Sequence, residues 1–244
     1  MKKVAPHLGL AAGVKIANSW LLTDSQGRRF LIDTGYFTDR PALLAHLWIA
    51  GVRAKHELTA VLLTHRHSDH AANAAWLRGK FDCPVVCHEA DAPFLRGAKA
   101  PPRMAVGRAP VYQEWLNLFE DAYPARSAVD ETYSEGAWKW GFNVVPTPGH
   151  TEGSVMLFHE PTRTLFSGDN ILAGLPPLRF IEHLSLAAPG FSQDTELCNR
   201  HVHKFLSDLP QTDCLCSGHG PIVLEGTSRK LKLLLPKCAH AISS

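Results

Sequence analysis

No stretch of the 244 residues approaches the roughly 20 consecutive apolar residues that a membrane-spanning helix needs. Charge of one sign does not accumulate either. Lys+Arg number 25 against 23 Asp+Glu, a formal net charge of +2, so no strong field draws in nucleic acid or an anionic membrane surface. The six cysteines include no Cys-x-x-Cys pair, the spacing a thiolate zinc site normally uses. No sequence repeat is present. A convincing export leader is also lacking: Lys2 and Lys3 precede Val4-Ala-Pro-His-Leu-Gly-Leu-Ala-Ala12, but the apolar stretch is short and broken by Pro6, His7 and Gly9. These absences point to a cytoplasmic globular protein whose partner is a small molecule, not nucleic acid or a membrane. They leave the oligomeric state open, a homodimer included.

What is present suits an enzyme-sized fold. At 45% hydrophobic, the chain can bury a substantial core as one domain or a two-halved one. Cys214 and Cys216 alternate in Asp213-Cys-Leu-Cys-Ser217 and Cys83 and Cys87 flank Pro-Val-Val. Period-two spacing puts the first pair on one strand face, where a thiol behaves as a small apolar residue. Strand patterns fall at Ile16–Leu22, Arg29–Asp33, Leu58–Thr64, Pro84–Cys87, Lys139–Val145, Ser154–His159, Thr164–Ser167 and Asp213–Ser217. Helix patterns fall at Arg40–Ala50, Ser68–Leu77, Tyr112–Asp121, Asp194–Leu209 and Gly226–Ala241. Periodicity alone predicts an α/β class. Two segments interrupt it. About 96–127 is an irregular insert rich in Gly and Pro at its start; about 171–191 is an apolar loop that either walls a substrate site or packs on the body.

The chemistry concentrates in Thr64-His-Arg-His-Ser-Asp-His70, directly after the apolar run Leu58-Thr-Ala-Val-Leu-Leu63. Neutral imidazole and carboxylate bind Zn²⁺, Fe²⁺ and Mn²⁺, and one turn cannot easily bury four such groups unpaired. The strand end sets His65 and His67 on one side of an extended turn. Asp69 and His70 then open a helix, so one segment can serve two metals.

This His-x-His-x-Asp-His string resembles the metallo-β-lactamase superfamily of hydrolases. Further matches follow in order: His150 in Thr147-Pro-Gly-His-Thr-Glu-Gly-Ser154, Asp169 in Leu165-Phe-Ser-Gly-Asp169, and His219 in Cys216-Ser-Gly-His-Gly-Pro221. The turn Leu31-Ile-Asp33-Thr-Gly35 is a fifth. The resemblance implies an αβ/βα four-layer sandwich formed as a single metallo-β-lactamase-like domain over 1–244. It implies that His65, His67 and His150 hold one metal, that Asp69, His70 and His219 hold a second, and that Asp169 bridges them. Two divalent ions are expected, zinc first and iron or manganese as alternatives, since the donors suit all three. A metal-bridging hydroxide would then cleave an ester-like carbonyl, with Asp69 doubling as proton shuttle.

Asp33 is expected beside the ligands as an acceptor for a ligating histidine, with Thr64, Ser167 and Thr151 as further candidates. Tyr36 could reach the mouth of the site, and His183 is the one other histidine with a suggestive place. Departures narrow the resemblance. Asp169 stands where penicillin-hydrolysing zinc enzymes carry Cys or Ser, and His67 is not the Glu of flavodiiron oxidoreductases. No basic footprint suits RNA processing. Thioesterases and acyl-homoserine lactonases remain. Leu172 replaces a lactonase tyrosine, and only about 25 residues follow His219, too few for a glutathione-holding helical domain. An acyl thioesterase is therefore expected first, an acyl-homoserine-type lactonase second. A mononuclear iron persulfide dioxygenase and a non-catalytic binding protein on the same scaffold stand behind them.

Overall fold

Leu31, Val61, Leu63, Val85 and Cys87 supply the strand side of one hydrophobic core, and Leu43, Leu47, Leu77 and Phe81 the helix side. The computed structural model describes residues 2–11, 16–103, 114, 117, 118, 120–174 and 180–238. Its contacts divide the chain into two compact units, Met1–Pro101 with Glu120–Tyr133, and Pro102–Phe119 with Ser134–Ser244. The class is α/β, as the periodicity predicts.

The first unit holds a seven-stranded sheet in chain order: β1 Lys2–Ala5, β2 Leu8–Leu10, β3 Trp20–Thr23, β4 Arg29–Ile32, β5 Ala60–Leu62, β6 Val85–His88 and β7 Glu131–Tyr133. Pairing is antiparallel from β1 to β4 and parallel from β4 to β7. Parallel strands need crossovers, and helices supply two of them. Arg40–Ile49 links β4 to β5; Ser68–Ala71 and Ala74–Phe81 link β5 to β6. Every residue of β5 is buried, which explains why this strand reads as an unbroken apolar run rather than an alternating one.

The second unit holds β8 Gly136–Ala137, β9 Phe142–Pro146, β10 Val155–His159, β11 Thr164–Gly168 and β14 Cys214–Ser217, ordered β14-β11-β10-β9-β8. A two-stranded ribbon, β12 Ile171–Leu172 and β13 Ser185–Leu186, stands apart. The helix Thr195–Ser207 starts at Asp194, whose Oδ1 accepts from Leu197 N at 2.8 Å. It buries Cys198, Val202 and Leu206, one turn apart on one face, against Met156, Phe158, Leu165 and Leu215. All six cysteines are free and buried, in keeping with the small-apolar reading.

Several expectations need correction. Residues 2–10, outside the strand patterns, form the β1–β2 hairpin. The helix expected over Ser68–Leu77 is broken at Asn73. There the side-chain amide donates to Thr34 O at 2.9 Å and Tyr36 O at 2.8 Å, and Thr34 Oγ1 takes the backbone N–H. The run Lys139–Val145 opens as a 3-10 turn with Trp140 at φ 60°, and the strand starts at Phe142. The helix expected over Gly226–Ala241 is interrupted: Thr227–Lys232 is helical, Leu233 and Leu234 form a turn, and residues 235–238 are helical again. Within the helix expected over Tyr112–Asp121, residues 114, 117, 118, 120 and 121 are helical and the rest lie outside the described residues, as do much of the 96–127 insert and the centre of the 171–191 loop with Leu178. The loop's base packs on the body: Ile171, Leu172, Ala173 and Ala187 are buried. Among the described residues, no helix is long and apolar enough to cross a membrane.

Candidate metal centre

In the first unit the donors follow β5 directly. His65 and His70 are fully buried and their rings stand 4.1 Å apart; His65 and His67 rings meet edge-on at 4.8 Å. A nitrogen of His65 and one of His67 lie within 4.8 Å of each other. His70 Nε2 is 3.7 Å from Asp69 Oδ2, whose side chain retains 22% of its exposure.

Asp33 stands where the sequence places it, beside these donors. It ends β4 at φ 57°, a left-handed conformation that Asp and Asn tolerate better than most residues. That twist turns its carboxylate inward. Oδ2 meets His70 Nδ1 at 2.8 Å and accepts from Thr64 Oγ1 at 2.8 Å, while Oδ1 accepts from Thr64 N at 2.8 Å. Thr64 Oγ1 also lies 3.1 Å from His65 Nδ1. The Nδ1 atoms of both histidines are thus engaged on the protein side, which leaves each Nε2 for a metal.

Four further supports were not visible in the sequence. Thr34 N and Oγ1 both donate to His70 O, at 2.6 and 2.8 Å. Arg66 N, between the first two histidines, donates to Asp91 Oδ2 at 2.9 Å, and the Arg66 guanidinium lies over the Phe94 ring. Glu120 accepts from Ser68 N at 3.0 Å and from its hydroxyl. Burial pushes the Glu120 carboxyl up, and the bond from Ser68 partly offsets this. The Tyr133 hydroxyl donates to Leu63 O at the foot of the motif.

In the second unit the donors come from three separate loops. His150 follows β9, Asp169 follows β11 and His219 follows β14. Asp169 Oδ2 lies 3.2 Å from His219 Nε2 and 3.7 Å from His150 Nε2. Donors sharing one tetrahedral ion at about 2.0–2.1 Å stand roughly 3.3 Å from each other, so each of these two pairs is spaced as two donors to one ion are. His150 Nδ1 lies 3.1 Å from Ser192 Oγ, and Ser192 Oγ lies 3.1 Å from Ala188 O. Nothing in the sequence around Ser192 signals this.

Backbone packing fixes the same loops. Gly149, at φ 125°, lies so close to the start of the helix Thr195–Ser207 that an added Cβ would stand 2.3 Å from Asp194 O. Gly220, at φ 98°, would place a Cβ 2.1 Å from Gly174 N. Ser217 Oγ donates to His219 O at 2.6 Å. Of the other candidates, Ser167 Oγ donates to Ile171 O at 2.7 Å rather than to a donor histidine. Thr151 is buried, and His183 N donates to Ala173 O at 2.9 Å. Tyr36 is buried and its phenol is pushed up to about 12, chiefly by burial and then by Glu120, Tyr123 and Asp69 nearby. The donor set therefore fits divalent metal: imidazoles, of which His65, His70 and His150 have their Nδ1 engaged by protein groups, and carboxylates at ligand spacing.

Comparison with known proteins agrees. A hydroxyacylglutathione hydrolase of Bdellovibrio bacteriovorus is 32% identical over 128 residues, which are 52% of this chain and 40% of that protein. The chain thus matches well under half of that relative's length. The probable metallo-hydrolase YflN of Bacillus subtilis is 26% identical over 201 residues, 77% of this chain and 73% of the relative. Among solved structures, the BLEG-1 B3 metallo-beta-lactamase superposes with a TM-score of 0.66 at 25% identity, covering 93% of this chain and 99% of that one. A di-iron-bound form of TTHA1623 gives 0.62 at 26% identity, over 88% and 93%. The metallo-beta-lactamase superfamily model matches residues 12–200. The α/β architecture is that of the superfamily, and the chain belongs to the metallo-beta-lactamase superfamily.

Proposed function

We propose that the chain is a binuclear metal-dependent hydrolase of acyl thioesters. His65, His67 and His150 hold one ion, Asp69, His70 and His219 the other, and Asp169 is shared between them. The observation that carries this reading is the single oxygen of Asp169 standing at ligand spacing from both His150 and His219. A carboxylate offers two oxygens and more than one lone pair, so it can serve two ions where an imidazole cannot. Relatives named hydroxyacylglutathione hydrolase favour a thioester substrate, at 32% identity over 128 residues and 28% over 155.

Two divalent ions supply a Lewis acid and a hydroxide available near neutral pH when bound. Zinc fits the mixed imidazole and carboxylate donors. The protein's own part is positional and protonic. Asp33, Thr64 and Ser192 hold three ring nitrogens in place. Asp69, partly exposed, takes up the proton released as the nucleophile attacks and returns it to the departing sulfur. Lactone opening is the second reading. Position 172, where the resembling lactonases carry tyrosine, is a buried leucine in β12 and has no hydroxyl to donate. The compartment proposed is the cytoplasm, where the six free thiols stay reduced; the partner is a small acyl substrate.

The test assays reconstituted protein against acyl thioesters, acyl-homoserine lactones and a β-lactam, alongside metal analysis. Thioester turnover with close to two ions per chain is expected. Lactone preference would move the chain to the second reading, and one iron with oxygen uptake would make it a dioxygenase. His67→Ala should lower hydrolysis by about 10³-fold, the effect of several kcal/mol of lost charge stabilisation, and lower metal content with it. Full activity in that variant would sink the ligand assignment.

A further inference from the structure

The turn that carries Ser68, Asp69 and His70 is bound on two sides by segments that each end in an exposed aromatic ring. On one side, Thr34 is hydrogen-bonded to His70 O, and Asn73 reaches back to the carbonyls of Thr34 and Tyr36. Phe37 follows immediately, in the short 3-10 turn Phe37–Asp39, whose Asp39 carboxylate accepts from Tyr36 N at 3.2 Å. On the other side, Glu120 holds Ser68 through its backbone N–H and hydroxyl, and Tyr123 lies three residues on. The two segments meet. The Phe37 and Tyr123 rings stand 5.2 Å apart, inclined at 34°, and the Tyr36 ring lies 4.5 Å behind Phe37.

Phe37 is 37% exposed and Tyr123 54% exposed, although Tyr36 beneath them is buried. Two neighbouring rings facing solvent, on segments hydrogen-bonded to the donor turn, offer faces and edges to a third ring at the offset or edge-on geometries that aromatic groups prefer. Ring faces and edges take a neutral aromatic group without needing a counter-charge.

We propose that Phe37 and Tyr123, backed by Tyr36, form the seat for an uncharged aromatic acyl group of the substrate. This rests on the thioesterase reading above and assigns its acyl half: benzoyl-like or phenylacetyl-like thioesters rather than short aliphatic ones.

The experiment compares benzoyl, phenylacetyl and acetyl thioesters of one small thiol, N-acetylcysteamine, on metal-loaded enzyme. The wild type should favour the aromatic acyl groups in kcat/KM. Phe37→Ala and Tyr123→Ala should each lower the aromatic-to-acetyl ratio by about tenfold, through KM, the scale of one lost aromatic contact. Phe37→Tyr and Tyr123→Phe should restore it. Trp48→Ala, which removes an aromatic ring 55% exposed on the helix Arg40–Ile49, should leave the ratio alone. An unchanged ratio in both alanine variants, or a wild type that prefers acetyl, overturns the seat. Calorimetric titration with neutral phenylacetamide separates this from failure of the thioesterase reading. Binding that the two alanine variants lose, in an enzyme that cleaves no thioester, keeps the seat and discards the reaction. Binding that they retain discards the seat.

Discussion

The two units present metal donors by different physical means. In the first, four donors lie within six residues, and polar side chains steady them: Asp33 on His70, Thr64 on His65, Asp91 on Arg66, Glu120 on Ser68. In the second, three donors arrive from loops between positions 150 and 219, and the loops are steadied by backbone approach at Gly149 and Gly220. A contiguous motif brings its donors together by local geometry but crowds them, so it needs acceptors to choose each ring's orientation. A dispersed set has room and needs its loops pinned. Ser192, which meets His150 in the second unit, is a neutral hydroxyl, whereas Asp33, which meets His70 in the first, is a carboxylate.

That contrast can be broken most severely at the glycines. Gly149→Ala should cost about 3 kcal/mol or more, because the added Cβ meets backbone at 2.3 Å and the left-handed φ is strained as well. A urea midpoint equal to wild type would show that the loop yields and that backbone pinning is not what fixes His150. Asp33→Asn should weaken metal binding by about 10–100-fold while leaving the fold intact, since Asn tolerates the same left-handed conformation. Competition with a chelator measures this, and unaltered affinity would remove the ionic orienter from the comparison. Ser192→Ala should do least. Loss of one neutral contact is worth about 1 kcal/mol, or roughly fivefold in affinity. An effect as large as that of Asp33→Asn would erase the distinction between the units.

The same contrast explains what could be read from the chain beforehand. The clustered His-x-His-x-Asp-His and the Pro-Gly-His and Gly-His-Gly strings are legible because donor and scaffold sit side by side. The helix Thr195–Ser207 is legible too, since its cap Asp194 and its buried Cys198, Val202 and Leu206 are local features. Glu120 and Asp91 were invisible because their partners lie 52 and 25 residues away. Ser192 is 42 residues from His150. The break at Asn73 follows from carbonyls donated by a distant turn, and helix propensity carries no trace of that competition. The β1–β2 hairpin lies outside the strand patterns because Lys2 to Leu10, interrupted by Pro6 and Gly9, carries no clear apolar alternation.

That hairpin has a consequence for how the protein behaves in a test tube. β1 and β2 lie outside β3, and the pairs Leu8↔Leu22, Gly9↔Leu21 and Leu10↔Trp20 occupy one side of that strand. A version trimmed of its first eleven residues would present Trp20-Leu-Leu-Thr23 as a bare sheet edge, with an unsatisfied row of amides and carbonyls beside apolar side chains. Such an edge recruits strands from neighbouring molecules. Trimming there should turn a monodisperse preparation into one that self-associates as concentration rises, while the donor loops remain chemically untouched.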